Sequence, residues 1–333
     1  MYLEGKKVLV VGTGISGIAA AELLIKQNID TTLFDGNKEL DIEKLYAKSP
    51  VLKQIPLILG DVSQEQMKEF DVTVLSPGVP TDLPMVNAMR DLGIAFWGEI
   101  ELAYYFAKGR IVAITGTNGK TTTTALTGEI MSNYFSDVKV VGNIGIPYTS
   151  VALETSEDTV TVAEISSFQL ETIHEFKPVV SAILNITPDH LNRHHTMEAY
   201  IAAKEDIAKN QTAEDTCVLN YEDEVTRKFG EKVNANKKTS INHADETLWT
   251  RSNKIIIGLV LNVIRAAENL DTLQTTLGLN ESQTISALNC LYSYMTKCGI
   301  AYQDDKIVPN QEGLFCALES LRTDLNNPIN EAI

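Results

Sequence analysis

Apolar positions in the first hundred residues come in short unbroken runs, "KVLVVG" at 7–12, "TTLFD" at 31–35 and "VTVLSPG" at 72–78, each ending in polar residues or glycine. Between the first two, the apolar spacing turns helical over 16 to about 27. Unbroken β-branched runs suit strands buried on both faces, and helices between them make the pairing parallel. A second unit begins near Gly98, with "RIVAITG", a helix directly after Lys120, then "VKVVGNIG", "VTVAEIS" and "VVSAILNITPDH" as further buried strands. Open parallel sheets bind ligands at the carboxyl ends of their strands, and there this chain collects Gly, Asn, Glu, Ser and His. After Asn234 the stretch "ANKKTSINHADETLWTRSNK" is polar and aperiodic and reads as a linker or a shortened segment. From Ile255 to about Thr296 the pattern is mostly helical, with a break at Gly278.

Composition narrows this α/β reading. At 333 residues and 44% hydrophobic, the chain is long enough for two or three domains with cores of their own. A formal net charge of −16 opposes any general attraction to nucleic acid or an anionic membrane, so a phosphate group must be held by local geometry. The N-terminal run "MYLEGKKVLVVGTG" is not a signal peptide, and "IIIGLVLNVI" from Ile255 is too short to span a bilayer. A cytoplasmic protein without membrane insertion is expected. Cys217, Cys290, Cys298 and Cys316 lack paired close spacing, which argues against a disulfide framework or a zinc knuckle.

Two glycine loops carry the candidate chemistry. "VGTGISG" places Gly12, Gly14 and Gly17 between a strand and a helix, with Asp35 closing the next strand. That is the dinucleotide-fold fingerprint and predicts a Rossmann-like domain; whether it binds a nucleotide or only shapes a turn stays open, and nicotinamide is not specified. "AITGTNGKTTTT" offers backbone N–H groups from Thr117 to Thr121, a lysine (Lys120) to bridge phosphates and a hydroxyl (Thr121) for Mg²⁺. Ile114 stands where the commonest phosphate loop has its first glycine, which marks a variant of the loop. At later strand ends, Glu164 and His190, and Lys204 on the following helix, could serve a metal or acid–base role; singly, a salt bridge, a capping imidazole and a solvated lysine explain them as well. His190, His194 and His195 lack a cysteine or carboxylate at zinc-ligand spacing, so magnesium is favoured.

Taken together, "TGTNGKTTT", "GNIG", "AEISSFQLE", "LNITPDHLNRH" and "YIAAKEDI", in that order behind "VGTGISG", "LSPGVP" and "GEIEL", resemble the Mur ligases, ATP-dependent amide-forming enzymes of peptidoglycan precursor synthesis. The resemblance implies a Rossmann-like UDP-substrate domain at 1–97, a P-loop ATPase domain at 98–298 that diverges after 234, and a remnant of the C-terminal ligase domain at 299–333. It implies UDP-N-acetylmuramoyl-L-alanine and D-glutamate as partners, with no nucleic acid. Gly14, Ile15, Ser16, Asp35, Ser76, Pro77, Gly78, Asn143, Ser166 and His190 would face that substrate. Gly116, Thr117, Asn118, Gly119, Lys120, Thr121, Thr122 and Asn262 would hold ATP. Lys120, Glu164, His190 and Lys204 would be catalytic; Thr121, Glu164, His190 and a carbamylated Lys204 would hold Mg²⁺.

Departures from the family pattern are Asn192 and His195 after "DHL", the stretch beyond Asn234, and "DDKIVPNQEGLFCALES", where Asp304 and Lys306 are kept but Val308 replaces threonine. They raise an alternative, a non-catalytic nucleotide-binding pseudo-ligase lacking most of the amino-acid-binding domain. An NAD-dependent oxidoreductase rests on the first loop alone.

Overall fold

The computed structural model describes residues 2–143, 145–240, 300–303 and 306–309. The chain divides into two compact units, Met1–Ala266 and Ala267–Ile333. Within the first, two parallel sheets account for the alternating pattern of the sequence.

The first sheet contains β1 (Lys7–Val11), β2 (Asp30–Asp35), β3 (Leu57–Leu59), β4 (Val72–Leu75) and β5 (Ala95–Gly98), in the order β3-β2-β1-β4-β5. Helices α1 (Ile15–Lys26), α2 (Ile42–Lys48), α3 (Gln64–Met67) and α4 (Pro84–Asp91) connect its strands. The second sheet contains β6 (Arg110–Thr115), β7 (Val138–Gly142), β8 (Val160–Glu164), β9 (Val180–Ile183), β10 (Thr216–Asn220) and β11 (Asn236–Ser240), in the order β11-β10-β9-β6-β8-β7. Its helices are α5 (Glu99–Phe106), which leads in from β5, α6 (Lys120–Ser132), α7 (Tyr148–Val151), α8 (Ser167–Leu170), α9 (Leu191–His194), α10 (Met197–Glu205) and α11 (Glu224–Phe229). Every ladder in both sheets is parallel. In the second unit, β12 (Ile300–Gln303) and β13 (Lys306–Pro309) form an antiparallel pair, so Lys306 lies on a strand opposite Gln303.

Both sheets reverse strand order beside their first strand, between β1 and β4 and around β6. Such switch points open a crevice at the carboxyl edge, and each glycine loop sits at one. The strands are buried as their composition demands: Val8, Leu9 and Val10 are fully buried, as are Val112, Ala113 and Ile114. Each Val, Leu or Ile side chain so buried stabilises the fold by about 1.5–3 kcal/mol. One continuous apolar cluster runs from Leu3, Val8 and Ala20 through Ile100 and Tyr148 to Ile183 and Leu219, joining both layers.

Two acids in "GEIEL" secure that junction. Glu99, fully buried, accepts hydrogen bonds from the Thr149 N–H (2.7 Å) and hydroxyl (2.9 Å), and burial pushes its carboxyl above the usual range. Glu101 accepts from three successive backbone N–H groups, those of His174 (2.8 Å), Glu175 (2.7 Å) and Phe176 (3.1 Å).

The polar segment after Asn234, expected to be a linker, begins with a strand: β11 pairs with β10, Thr216 opposite Asn236. A ladder uses backbone groups, so an edge strand needs little apolar content, and polarity there misleads. Strands β3, β5 and β10 also escaped the sequence pattern. Cys217 lies buried in β10, its thiol pushed up to about 11 by burial; the other cysteines, Asn262, Asp304 and "IIIGLVLNVI" fall outside the described residues. Among the described residues no helix is long and apolar enough to cross a membrane.

Candidate active site

The first glycine loop joins β1 to α1 through Gly12, Thr13 and Gly14. Close packing, more than flexibility, dictates one of its glycines: a Cβ on Gly17 would lie 1.9 Å from the Gly12 carbonyl oxygen. Gly14 caps α1 without a side-chain partner, Ile15 is 74% exposed, and Ser16 is half-buried beside them. Asp35 closes β2, but its carboxylate already accepts from the Thr13 N–H (3.1 Å) and hydroxyl (2.5 Å) and from the Asn37 N–H (2.9 Å). Across the switch point, Ser76, Pro77 and Gly78 follow β4. The Ser76 hydroxyl is buried without a hydrogen-bond partner, a polar group that a ligand at this loop could satisfy.

The second loop runs from β6 into α6. Gly119 caps the helix with φ of +82°, a left-handed conformation that favours glycine. The loop is braced by the segment directly after β9: Asn185 accepts the Thr117 N–H through its carbonyl (2.9 Å) and the Asn118 N–H through its side chain (2.9 Å). The Asn185 amide also donates to the Asn118 carbonyl (3.0 Å). The five-residue cradle expected from sequence is therefore narrower, because Thr117 and Asn118 spend their N–H groups on Asn185. What faces outward is the first turn of α6, Lys120, Thr121 and Thr122 behind Gly119, where helix geometry leaves N–H groups unpaired and the dipole favours an anion. Lys120 Nζ donates to the carbonyls of Gly116 and Thr117, both at 3.0 Å.

Lys204, on α10, reaches the same loop from below. It is 2% exposed, donates to the Gly116 carbonyl (2.8 Å) and the Thr115 hydroxyl (3.4 Å), and lies 4.8 Å from the Tyr200 ring centroid. Burial, then the charge of Lys120, brings its amine down to about 7. Glu164, 2% exposed at the end of β8, accepts from the Asn143 side chain (3.1 Å), while its carbonyl accepts the Asn143 N–H (2.8 Å). Ser166 is the N-cap of α8 and its hydroxyl is engaged with Gln169 in a capping box.

His190, expected at a strand end, lies further on: β9 stops at Ile183, and His190 is the N-cap of α9, with φ of +53°. His195 closes that single turn with φ of +65°. Left-handed conformations outside glycine cost on the order of 1–2 kcal/mol each, so the turn must be held by its surroundings. His194 is buried inside it, bonded to Ser167 Oγ (2.9 Å) and facing Glu171 (3.3 Å), while Asn192 and His195 line a cavity of about 390 Å³ with His190, Phe168, Pro80 and Asp82. The three histidines thus do not share one site. Among the described residues no three His, Cys, Asp or Glu side chains are grouped to hold a metal. Thr121 and Glu164 carry oxygen atoms of the kind a hard cation takes, and Lys204 as an ammonium would repel one. As a carbamate it would supply oxygen. Sequence reasoning missed Asn185, Ser167, Glu171 and Arg193, although all lie inside the motifs it singled out; their signal was polarity in otherwise apolar strand-end segments.

Comparison with known proteins agrees with the fold of the two sheet domains. The Mur ligase middle domain model matches residues 114–276, and the MurD-like N-terminal domain model of Mur ligases matches residues 6–98. The UDP-N-acetylmuramoylalanine--D-glutamate ligase of Lachnoclostridium phytofermentans is 57% identical over 258 residues, 77% of this chain and 57% of the relative. That of Clostridioides difficile is 48% identical over 236 residues, 71% of this chain and 52% of the relative. The chain therefore spans about half the length of the curated relatives it matches. Among solved structures, UDP-N-acetylmuramate:L-alanyl-gamma-D-glutamyl-meso-diaminopimelate ligase from Neisseria meningitides aligns over 82% of this chain and 97% of its own, with TM-score 0.51 and 15% identity, a likeness of fold.

Proposed function

The chain belongs to the Mur ligase family, and from that premise we propose that it serves the ATP-dependent joining of D-glutamate to UDP-N-acetylmuramoyl-L-alanine in peptidoglycan precursor synthesis. The observation that carries this is the meeting of two lysines, Lys120 and Lys204, on the Gly116 carbonyl at a switch point. A plain structural turn has no use for a second, buried lysine beneath a phosphate loop.

In this reading the 1–97 domain, whose last strand ends at Gly98, holds the uridine nucleotide between Gly14–Ser16, Asp35 and Ser76–Gly78. The domain assigned to 98–298 holds ATP. Lys120 would exchange its two carbonyl partners for β- and γ-phosphate oxygens, and the first turn of α6 would bind the phosphates through Gly119, Lys120, Thr121 and Thr122. Thr121, Glu164, His190 and a carbamylated Lys204 would hold Mg²⁺, which would supply charge neutralisation at the transferring phosphoryl group. Asn143, fixed by Glu164, would orient the substrate carboxylate that takes the γ-phosphoryl group, giving an acyl phosphate and ADP. The D-glutamate amine then attacks the acyl carbon, phosphate leaves, and the amine gives up a proton. Lys204 suits carbamylation because it is buried with no carboxylate bonded to it among the described residues, and its lowered affinity for protons leaves a nucleophilic amine for CO₂.

Phosphate release from Mg-ATP with UDP-N-acetylmuramoyl-L-alanine, with and without D-glutamate, tests the reading. Release that requires D-glutamate, with the glutamyl adduct found by mass spectrometry, is expected. ATP binding with no release under any condition would instead favour the pseudo-ligase. Lys204→Ala should lose release and regain part of it with added acetate or formate; no regain would remove the carbamate from the reading.

A further inference from the structure

Glu171 belongs neither to the phosphate loop nor to the strand ends, yet its carboxylate gathers groups from both sheet domains. Oε2 accepts from Arg193 Nη2 (2.9 Å) and from the Thr81 hydroxyl (3.3 Å), while Oε1 faces His194 Nδ1 (3.3 Å). On the other side of the ring, His194 Nε2 shares a hydrogen bond with the Ser167 hydroxyl at 2.9 Å. The order serine, histidine, carboxylate is that of a hydrolytic triad, but Ser167 is 2% exposed, which withholds it from any substrate and leaves the arrangement a structural role.

Two branches leave this cluster. Toward the first domain, Arg193 Nη2 also donates to the Val79 carbonyl (3.1 Å), and His195 Nε2 pairs with Asp82 (3.3 Å) on the rim. Val79 and Thr81 come directly after Ser76–Gly78. Toward the second, the Arg193 guanidinium stacks on Phe168 (4.6 Å), whose ring meets those of His190 (5.0 Å) and His194 (5.3 Å). Glu171 and Arg193 are 17% and 13% exposed, dry enough for the pair to be firm. Within the turn, Glu171 holds Arg193 and His194, while His195 pairs with Asp82 and His190 packs on Phe168.

We propose that Glu171 is a positioning residue that ties the strained His190–His195 turn to the Val79–Thr81 segment, and so couples occupancy of the uridine-nucleotide loop to occupancy of the phosphate loop. The inference rests on the reading that each loop binds its nucleotide. Anything that orders Ser76–Gly78 orders Val79 and Thr81, and these share Glu171 with the turn that carries His190. The coupling is reciprocal: whichever ligand arrives first tightens the second.

The test is titration calorimetry of a non-hydrolysable ATP analogue with Mg²⁺, with and without saturating UDP-N-acetylmuramoyl-L-alanine, and the reverse order. The wild type is expected to bind the analogue about tenfold tighter with the substrate present, by the same factor in both orders. Glu171→Gln should abolish that factor while each ligand alone binds within about threefold of wild type. Thr81→Val, which removes one hydrogen bond from the far end of the relay, should reduce the factor without lowering the melting temperature appreciably. An unchanged factor in Thr81→Val and in folded Glu171→Gln overturns the proposal, as does a wild type that binds both ligands independently. Failure of the wild type to bind either ligand alone would strike the functional reading itself, a separate and recognisable outcome.

Discussion

The two glycine loops share one grammar, a buried strand, glycines and a helix at a switch point, and differ in what surrounds them. Around the first, the nearest charged group is Asp35, a carboxylate committed to Thr13 and Asn37, and the shape is set by contact between Gly17 and Gly12. Around the second, the charges are two lysines, and the shape is set by Asn185 and a left-handed Gly119. The same backbone device therefore sits in opposite surroundings: a carboxylate beside the first loop, two lysines beside the second. The difference teaches that a glycine fingerprint indicates where the chain can approach a ligand, and the side chains within reach decide which ligand it is.

The comparison breaks most sharply at Lys120. Lys120→Ala should lower ATP turnover by about 10²-fold or more, since it removes the charge proposed to turn toward the transferring group, with UDP-substrate binding by calorimetry unchanged. Equal loss at both loops would mean that the two sites are not chemically distinct. Next is Gly17→Ala, which should destabilise by about 1–3 kcal/mol through overpacking against the Gly12 backbone. The neighbouring Gly14→Ala, with nothing within 4 Å of its added Cβ, should leave the melting temperature nearly unchanged; parity of the two variants in thermal unfolding would refute the packing account. Asp35→Asn should weaken the uridine nucleotide about tenfold by loss of a charged hydrogen-bond acceptor, and leave the ATP analogue's affinity alone.

The smallest effect concerns the junction between the two domains. Burial raises the Glu99 carboxyl, so the folded state binds a proton that the unfolded state has already released. The stability this confers is complete below 4.5, the unfolded value, and is lost as pH rises through the higher folded value. Glu99→Gln should remove that loss, so its urea midpoint should fall less than wild type's between pH 4.5 and neutrality. Identical slopes would show that Glu99 does not titrate across that window.

Much of the site could be read in advance because its parts are local. A lysine between glycine and threonine, a strand ending in Glu164 and the glycine spacing of "VGTGISG" are each written within a few residues, and backbone geometry follows directly from them. The misses have a common cause. Asn185 was overlooked because its work is to occupy N–H groups on a loop 67 positions away in sequence. Glu171 was overlooked because its three partners come from the first domain and from α9. β11 was overlooked because a ladder at a sheet edge is made by backbone pairing with β10 and leaves little trace in side-chain polarity.

Sequence alone thus determined the α/β class, the two loops and the residue types able to do phosphate chemistry, since hydrophobic period, glycine and charge act over short stretches. Only the tertiary structure decided that Lys204 lies under the loop with a proton affinity brought down to about 7, that Thr117 and Asn118 are already spent, and that His190 rides on a strained turn. Burial, desolvation and charge proximity depend on which distant segments meet, and parallel sheets bring together residues that the chain keeps far apart.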